Sequence, residues 1–236
     1  MQKKPSKLTV LSLIFFFIFA PLSIYAGSLL AAKNNYYLAS ILIIILAIIP
    51  FFIYFENRKV KTAEIVIFSM MTALSVGARS VMMFVPQVKP TAALVIVTAV
   101  AFGPNVGFLT GALSMFLSNF IFGQGMFTPF QMLGMGLVGF FAGIFFYNKK
   151  KVSNRWVISI TGGILTFALY GIIADSCSVF MLLSNVTLKS AASVYLSGLT
   201  FNIIHGITTA VMLFFISKPM NDKFSRLRKK YGIFDT

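Results

Sequence analysis

Apolar stretches long enough to cross a lipid bilayer recur along the whole chain, and short basic clusters separate them. A transmembrane helix needs about 20 mostly apolar residues, fewer where a helix is short or broken. Hydrophobic residues make up 58% of the sequence and charged residues only 11%, whereas an ordinary soluble domain has about 25% charged residues. A soluble core of 236 residues has no place for that much apolar surface, which includes 27 Phe side chains. The sequence therefore predicts an all-α integral membrane protein with several spans.

Eight candidate spans follow from the apolar stretches. They cover residues 8–32, 36–55, 62–85, 91–103, 105–122, 127–147, 156–183 and 190–217. The division within 91–122 is the critical one, because a single helix there would be about 48 Å long in a hydrocarbon core of about 30 Å. The sequence Gly103-Pro104-Asn105 in its middle is a strong helix breaker. We therefore predict two short helices joined at that turn.

The distribution of basic residues selects the same topology. With eight spans and the N-terminus inside, most of the 20 Lys and Arg residues fall on the inner side, and only Lys33, Lys89 and Lys189 lie outside. A single helix over 91–122 would move the basic loop 149–155 and the C-terminal tail to the outside, which inverts the positive-inside bias. We therefore expect both termini in the cytoplasm.

The predicted organisation has three parts. Residues 1–60 hold two N-terminal transmembrane helices and a basic cytoplasmic loop, residues 61–218 form a six-helix membrane domain, and residues 219–236 form a basic cytoplasmic tail. The first span has signal-peptide features, with basic residues before it and small residues near Ala26. Its apolar run of about 25 residues exceeds the usual run of about 7–15, so we favour a retained anchor over a cleaved signal peptide.

Motifs for catalysis and metal binding are scarce. The sequence has no G-x-x-x-x-G-K-[ST] phosphate loop, no H-E-x-x-H and no C-x-x-C. A single cysteine, Cys177, and a single histidine, His205, do not supply a disulfide or a Cys/His metal cluster. We therefore expect no enzyme activity, no metal site and no cofactor. The net charge of +15 resides in clusters between apolar runs rather than on a soluble basic face, which argues against nucleic-acid binding.

Several polar residues lie inside the predicted spans, most of them towards the outer side. An ionisable group at the bilayer centre costs roughly 2.5–3.5 kcal/mol, so such residues usually face a partner or a wet cavity. We expect one outward-facing substrate pocket, formed by these residues and two from outer loops. Its predicted residues are Arg79, Lys89, Asn119, Gln124, Gln131, Asp175, Asn202 and His205.

Structural explanations exist for the same residues. In the first alternative, Arg79 and Asp175 pair with each other. In the second, the Arg79 side chain snorkels to the outer headgroups. The amides of Asn119, Gln131 and Asn202 join helices without binding a ligand. His205 is then a satisfied structural histidine. The sequence alone leaves these alternatives open.

The segment 123–131 combines a flexible outer turn with the start of a helix. Thr128 is predicted as the N-cap, with Pro129 at the first helical position and Gln131 in the first turn. A helix N-terminus exposes unpaired N–H groups and partial positive charge, which suits an anionic or carbonyl-bearing ligand. Ordinary helix capping explains the same pattern without a ligand.

Small residues recur every four positions on the span 62–85, at Ser69, Ala73 and Gly77. Such a stripe lets another helix approach closely, whether that helix belongs to a partner subunit or to this chain.

Along the chain, the sequence contains in order the motifs Ser69-x-x-x-Ala73, Gly77-Ala78-Arg79, Lys89-Pro90, Phe102-Gly103-Pro104, Gly107-Phe108-x-x-Gly111-Ala112, Ser118-Asn119-Phe120, Gly123-Gln124-Gly125 and Thr128-Pro129-Phe130-Gln131-Met132. Taken in this order, they resemble the substrate-binding (S) subunits of energy-coupling factor (ECF) transporters, the vitamin-uptake branch of ATP-driven importers. The resemblance covers about 62–217, with two departures. The family usually has alanine at both stripe positions, one of which is Ser69 here, and the two N-terminal spans are additional.

The resemblance implies a six-helix bundle in a prokaryotic plasma membrane. Its outward-facing pocket for a water-soluble vitamin or precursor is formed by the loop 86–90 and the outer parts of helices four to six. It also implies that Ser69, Ala73 and Gly77 dock on a transmembrane coupling subunit that works with a pair of ATP-binding-cassette ATPases. Within the family, the sequence looks most like a cobalamin-type subunit. The alternative function is a stand-alone secondary transporter of a small polar solute, and copurification of an ATPase pair would separate the two.

Overall fold

The computed structural model describes residues 61–85, 88–148, 154–183 and 187–232, together with the single position Ile49. Within these ranges the chain is helical and contains no β-strand. The predicted spans 8–32 and 36–55 lie outside the described residues, so the two N-terminal helices stay a prediction.

The described helices follow the predicted spans closely. Five helical rods are long and apolar enough to cross a membrane, and the remaining helix, α2, is a shorter apolar one. A π-helical turn at Thr166–Tyr170 joins α5 and α6 into one rod. The predicted all-α membrane fold is thereby confirmed. The helices are α1 (Thr62–Val81, extended by a 3₁₀ turn at Met82–Phe84), α2 (Thr91–Phe102), α3 (Pro104–Phe122), α4 (Phe127–Phe146), α5 (Arg155–Leu165), α6 (Gly171–Leu182) and α7 (Leu188–Tyr231).

The chain reverses at Gly103, between α2 and α3, as the sequence predicts. Gly103 has a φ of +101°, a conformation that favours glycine, and Pro104 opens α3, where a missing N–H removes no helical hydrogen bond. With 12 residues, α2 is about 18 Å long and does not cross the hydrocarbon core alone. All of its residues are buried, so α2 is the central helix of the bundle.

Glycines let α3 and α4 pack backbone against backbone. A Cβ atom at Gly111 would lie 2.3 Å from the carbonyl oxygen of Met135, and one at Gly139 would lie 2.3 Å from the carbonyl oxygen of Gly107. No larger side chain fits at these distances. Because lipid removes the hydrophobic drive for helix association, close contacts of this kind hold the bundle together. They also fix the ends of α3 and α4 that carry the polar residues described below.

The last helix, α7, continues well beyond its predicted end. The apolar stretch stops at residue 217, but the helix is 44 residues long, passes through Pro219 and ends at Tyr231. Its last turns pack one face against the buried core. The predicted tail 219–236 is therefore helical over its described part, because an amphipathic helix with one packed face needs no long apolar run.

Candidate functional site

A cluster of polar side chains joins α1, α3 and α4 at the end of the bundle that the charge distribution predicts to face outside. The guanidinium of Arg79 donates to Ser118 Oγ and, over 2.9 Å, to Asn119 Oδ1. The Asn119 amide donates to Thr128 Oγ1 and to Gln131 Oε1, each over 2.9 Å. These five residues are called the outer cluster. They link three helices through a continuous chain of hydrogen bonds.

The surroundings of Arg79 rule out its two structural alternatives. Its side chain is only 8% exposed, so it does not snorkel to the headgroups. Its hydrogen-bond partners are neutral oxygens, and Asp175 bonds to a different residue. The alternative of an ion pair between Arg79 and Asp175 is therefore not realised in the described part of the chain. A buried cation held only by neutral acceptors suits a site for an electron-rich ligand group.

Lys89 approaches the outer cluster from the loop before α2. Its Nζ lies 5.6 Å from the centroid of the Phe122 ring, and the Arg79 guanidinium carbon lies 4.5 Å from the same centroid. Burial lowers the pKa of Lys89, and the neighbouring Arg79 charge lowers it further. The two cations therefore share one aromatic ring at the edge of the cluster.

A second group of polar residues, the inner cluster, consists of Asp175, Asn202 and His205. The Asn202 amide donates to Asp175 Oδ2 over 2.7 Å, and all three side chains are buried. The His205 ring lies edge-on to Tyr170, with centroids 5.1 Å apart, and 5.6 Å from the ring of Phe201. Asn202 Oδ1 and both ring nitrogens of His205 lack hydrogen-bond partners among the described residues. Because unpaired buried polar atoms are costly, these three atoms are candidates for contact with a polar ligand group.

Local backbone features make room for the inner cluster. A Cβ atom at Gly198 would lie 2.2 Å from Asp175 Oδ1, and one at Gly171 would lie 2.7 Å from Asn202 Cγ. Only glycine therefore allows the two polar side chains to meet between α6 and α7. The π-helical turn at Thr166–Tyr170 directly precedes Gly171, and such turns are frequent at functional sites.

The two clusters adjoin through α4. Gln131 belongs to the outer cluster, and Gly134 lies one turn further along the helix. A Cβ atom at Gly134 would lie 3.2 Å from Tyr170 Cδ2, on the ring that packs against His205. Residues three apart share a helix face, so both clusters border the same side of α4.

Gln124 is the predicted pocket residue that belongs to neither cluster. Its amide donates to the Phe116 carbonyl oxygen over 2.9 Å, and its side chain is exposed. The structure thus places Gln124 on the surface beside α3, while the other predicted pocket residues lie in or next to the two clusters.

Thr128 is not the N-cap of α4, contrary to the prediction. The helix begins at Phe127, two residues before the predicted first helical position Pro129, and Thr128 lies in the first turn. Its hydroxyl accepts from the Gly125 backbone N–H over 3.2 Å and from the Asn119 amide. The side chain therefore reaches back to an N–H before the helix instead of forward to one inside it, and this lets the helix start sooner.

The sequence does not single out Tyr170 or Ser118 as site residues. Tyr170 lies in the middle of the predicted span 156–183. The signal that could have identified it is its hydroxyl group, which needs a hydrogen-bond partner at that position in a span. Ser118 precedes Asn119 but gives no separate indication, because a serine inside a span usually bonds to its own helix.

The stripe of Ser69, Ala73 and Gly77 lies on an exposed face of α1. A Cβ atom at Gly77 would meet nothing within 4 Å. Within the described residues, the stripe therefore does not serve the internal packing of the bundle.

The family model described as "ECF-type riboflavin transporter, S component" matches residues 59–222. This range contains both clusters and the α1 stripe. No curated protein and no solved structure gives a significant match to the chain. The match supports the resemblance to S subunits, but it gives no support to the cobalamin-type assignment, because its description names riboflavin. The chain belongs to the family of ECF-type riboflavin transporter S components, and it is a multi-pass membrane subunit of a transporter.

Proposed function

We propose that this chain captures riboflavin on the outer side of the plasma membrane and delivers it with the help of partner subunits. The observation that carries the proposal is the family match over residues 59–222, whose description names riboflavin as the transported compound. The partners are a transmembrane coupling subunit and a pair of ATP-binding-cassette ATPases, as expected for an ECF transporter.

The inner cluster supports this ligand chemically. Riboflavin carries a planar, neutral ring system with an imide N–H donor flanked by carbonyl acceptors. Asn202 Oδ1 is a free acceptor, and a neutral His205 offers one donor and one acceptor. The rings of Tyr170 and Phe201 flank His205 and suit a planar aromatic ligand. We therefore assign the polar edge of the flavin ring to the inner cluster.

The outer cluster suits the other end of the same molecule. The ribityl chain of riboflavin is a row of hydroxyl groups, each of which both donates and accepts a hydrogen bond. Arg79 and Lys89 donate hydrogen bonds, while Gln131 and Thr128 do both. In the proposal, the ribityl hydroxyls exchange hydrogen bonds with this cluster and with Lys89.

The exposed stripe on α1 supports the role of the partner subunit. Ser69, Ala73 and Gly77 form a smooth face without packing partners in the described bundle. In lipid, small residues let two helix backbones approach closely and gain van der Waals contact. We propose this face as the contact with the coupling subunit.

Riboflavin fluorescence tests the function directly. The purified chain is titrated into riboflavin, and cobalamin is then added as a competitor. We expect saturable quenching with one riboflavin per chain and no displacement by equimolar cobalamin. Absence of quenching would refute the riboflavin proposal, and efficient displacement would restore cobalamin as the ligand.

Transport separates the proposal from the alternative of a secondary transporter. The chain alone, reconstituted in vesicles with an ion gradient, is expected to accumulate no riboflavin. Accumulation should require the coupling subunit, both ATPases and ATP. Uptake by the chain alone, driven by the gradient, would contradict the proposed dependence on partners.

A further inference from the structure

The end of α7 is an amphipathic helix beyond the membrane-spanning part. Residues 218–231 are rich in Lys and Arg, with Asp222 as the single acidic residue among them. The family match ends at residue 222, so most of this segment lies outside the region shared with the family. It is called the basic helix below.

One face of the basic helix is fixed to the bundle. Phe224 is buried, and its ring lies 4.8 Å from the ring of Phe102 at the end of α2. Arg228 donates to the Ala101 carbonyl oxygen over 3.4 Å and to Asn148 Oδ1 over 3.3 Å. The helix is therefore held at the ends of α2 and α4, which the charge distribution predicts to face the cytoplasm.

The opposite face of the basic helix carries exposed cations. At 100° per residue, they fall within an arc of about 140°, away from the buried Phe224. This patch, called the cationic face, consists of Lys218, Lys223, Arg226, Lys229 and Lys230, all of them exposed.

Aromatic residues mark the membrane boundary next to the cationic face. Trp156 at the start of α5 is 59% exposed, and its ring packs 4.5 Å from that of Phe214. Phe215 is 70% exposed, as expected for a side chain in lipid. Trp and other aromatic residues concentrate at the level of the headgroups. Because Lys218 follows Phe215 by only three residues, the cationic face begins within one helical turn of this boundary.

We infer that the cationic face of the basic helix binds anionic phospholipid headgroups of the inner leaflet. Clusters of about four to eight basic residues directly next to a transmembrane helix are typical of such binding. Headgroup phosphates lie at the depth where the cationic face begins, and the Lys and Arg side chains near that level are long enough to extend along the helix to them. The cations further along the helix add to the positive potential that attracts an anionic membrane surface. An acidic protein surface would need to reach the same depth, whereas lipid is already present there. The inference rests on the fold and the charges alone and does not depend on riboflavin.

Native mass spectrometry of the full chain, released from nanodiscs of mixed phosphatidylglycerol and phosphatidylcholine, tests the inference. We expect retained phosphatidylglycerol to exceed phosphatidylcholine about tenfold or more, because each cation adds to the attraction. The variant with Gln at all five positions of the cationic face should lose this preference. A matched variant that exchanges Lys for Arg and Arg for Lys at the same positions should keep it.

The other possible results of this experiment also decide whether the cationic face binds anionic lipid. Equal retention of both lipids by the unaltered chain would overturn it, and so would a preference that survives in the Gln variant. If the Gln variant instead loses only its copurification with an ATPase pair, the cationic face binds protein and the lipid inference is wrong. Should the Gln variant fail to fold, salt gives the test on the unaltered chain, because a preference that high salt does not weaken is not electrostatic.

Discussion

A single hydrogen bond to Asp175 determines which side-chain atom of Asn202 is left free to contact a ligand. Because the Asn202 amide nitrogen donates to Asp175 Oδ2 over 2.7 Å, its oxygen is left as a free acceptor. Gly198 lets the carboxylate come this close to α7. In the proposed function, Asp175 is therefore a positioning residue for the riboflavin contact.

Replacing Asp175 by Asn tests this positioning role. We expect riboflavin affinity to fall about tenfold or more, since a hydrogen bond to a charged group contributes about 1.5–3 kcal/mol. The measurement is fluorescence titration, with the melting temperature as a control for folding. Adding Arg79→Gln should give no rescue, because Arg79 bonds to Asn119 and not to Asp175. Recovery of affinity in the double variant would show that the two charges are coupled after all.

His205 offers a substitution that separates folding from binding. His205→Phe keeps an aromatic ring against Tyr170 and Phe201 and removes two unpaired buried nitrogens, so we expect equal or higher thermal stability. Riboflavin affinity should fall about tenfold or more if the ring nitrogens bind the ligand. His205→Gln, which keeps a donor and an acceptor, should lose less affinity. Unchanged affinity in the Phe variant would remove His205 from the proposed site.

At the residue scale, the sequence predicts that Arg79, Asn119 and Gln131 lie at the same end of the bundle, as the structure shows, but the pairing of Asp175 could not be predicted. Arg79 and Asp175 both lie near the outer side in the predicted topology, which made an ion pair plausible. Which residue Arg79 or Asp175 bonds to depends instead on the rotation of the helices and on glycines at the helix contacts, as Gly198 shows for Asp175. The rotation of one helix relative to another depends on packing across the whole bundle, so local sequence patterns do not predict it.

At the scale of helices, the local sequence predicts where a helix is interrupted better than it predicts where a helix ends. The reversal at Gly103 follows from a glycine with positive φ and the proline after it, and both are visible in the sequence. The end of α7 does not follow from the predicted span 190–217, because the helix continues as an amphipathic segment past Pro219. The π-helical turn at Thr166–Tyr170 has no clear mark in the sequence.

The stripe on α1 gives a prediction at the same scale. We expect Gly77→Leu or Ala73→Leu to abolish riboflavin uptake by the complete transporter while riboflavin binding stays within about twofold. A Leu side chain has free space at Gly77 in the described bundle but would hold a partner helix away. Uptake assays in cells and titration of the purified variants measure the two effects.

Ala192→Leu on the exposed side of α7 is the matched control, because it adds the same side chain elsewhere on the lipid-facing surface. It should leave uptake unchanged. If the stripe variants lose binding and uptake equally, the stripe serves internal packing and is not a docking face.

At the scale of the whole molecule, the polar clusters and the basic helix lie at opposite ends of the bundle. The outer cluster joins α1, α3 and α4 near Asn119, whereas the basic helix contacts the opposite ends of α2 and α4 near Phe102 and Asn148. The candidate ligand site and the proposed lipid-binding face of the basic helix are thereby kept apart. The absolute orientation rests on the positive-inside bias and is still a prediction.

Cysteine labelling decides that orientation. In a Cys177→Ala background, Lys189→Cys should react with a membrane-impermeant maleimide added to intact cells, because Lys189 is exposed at the start of α7. Lys150→Cys, in the basic loop outside the described residues, should react only after the cells are opened. In the sequence, Lys150 precedes and Lys189 follows the rod formed by α5 and α6, so a correct topology must separate them. Labelling of Lys150→Cys from outside would invert the bundle, turn the polar clusters towards the cytoplasm and remove the basis for an outward-facing riboflavin pocket.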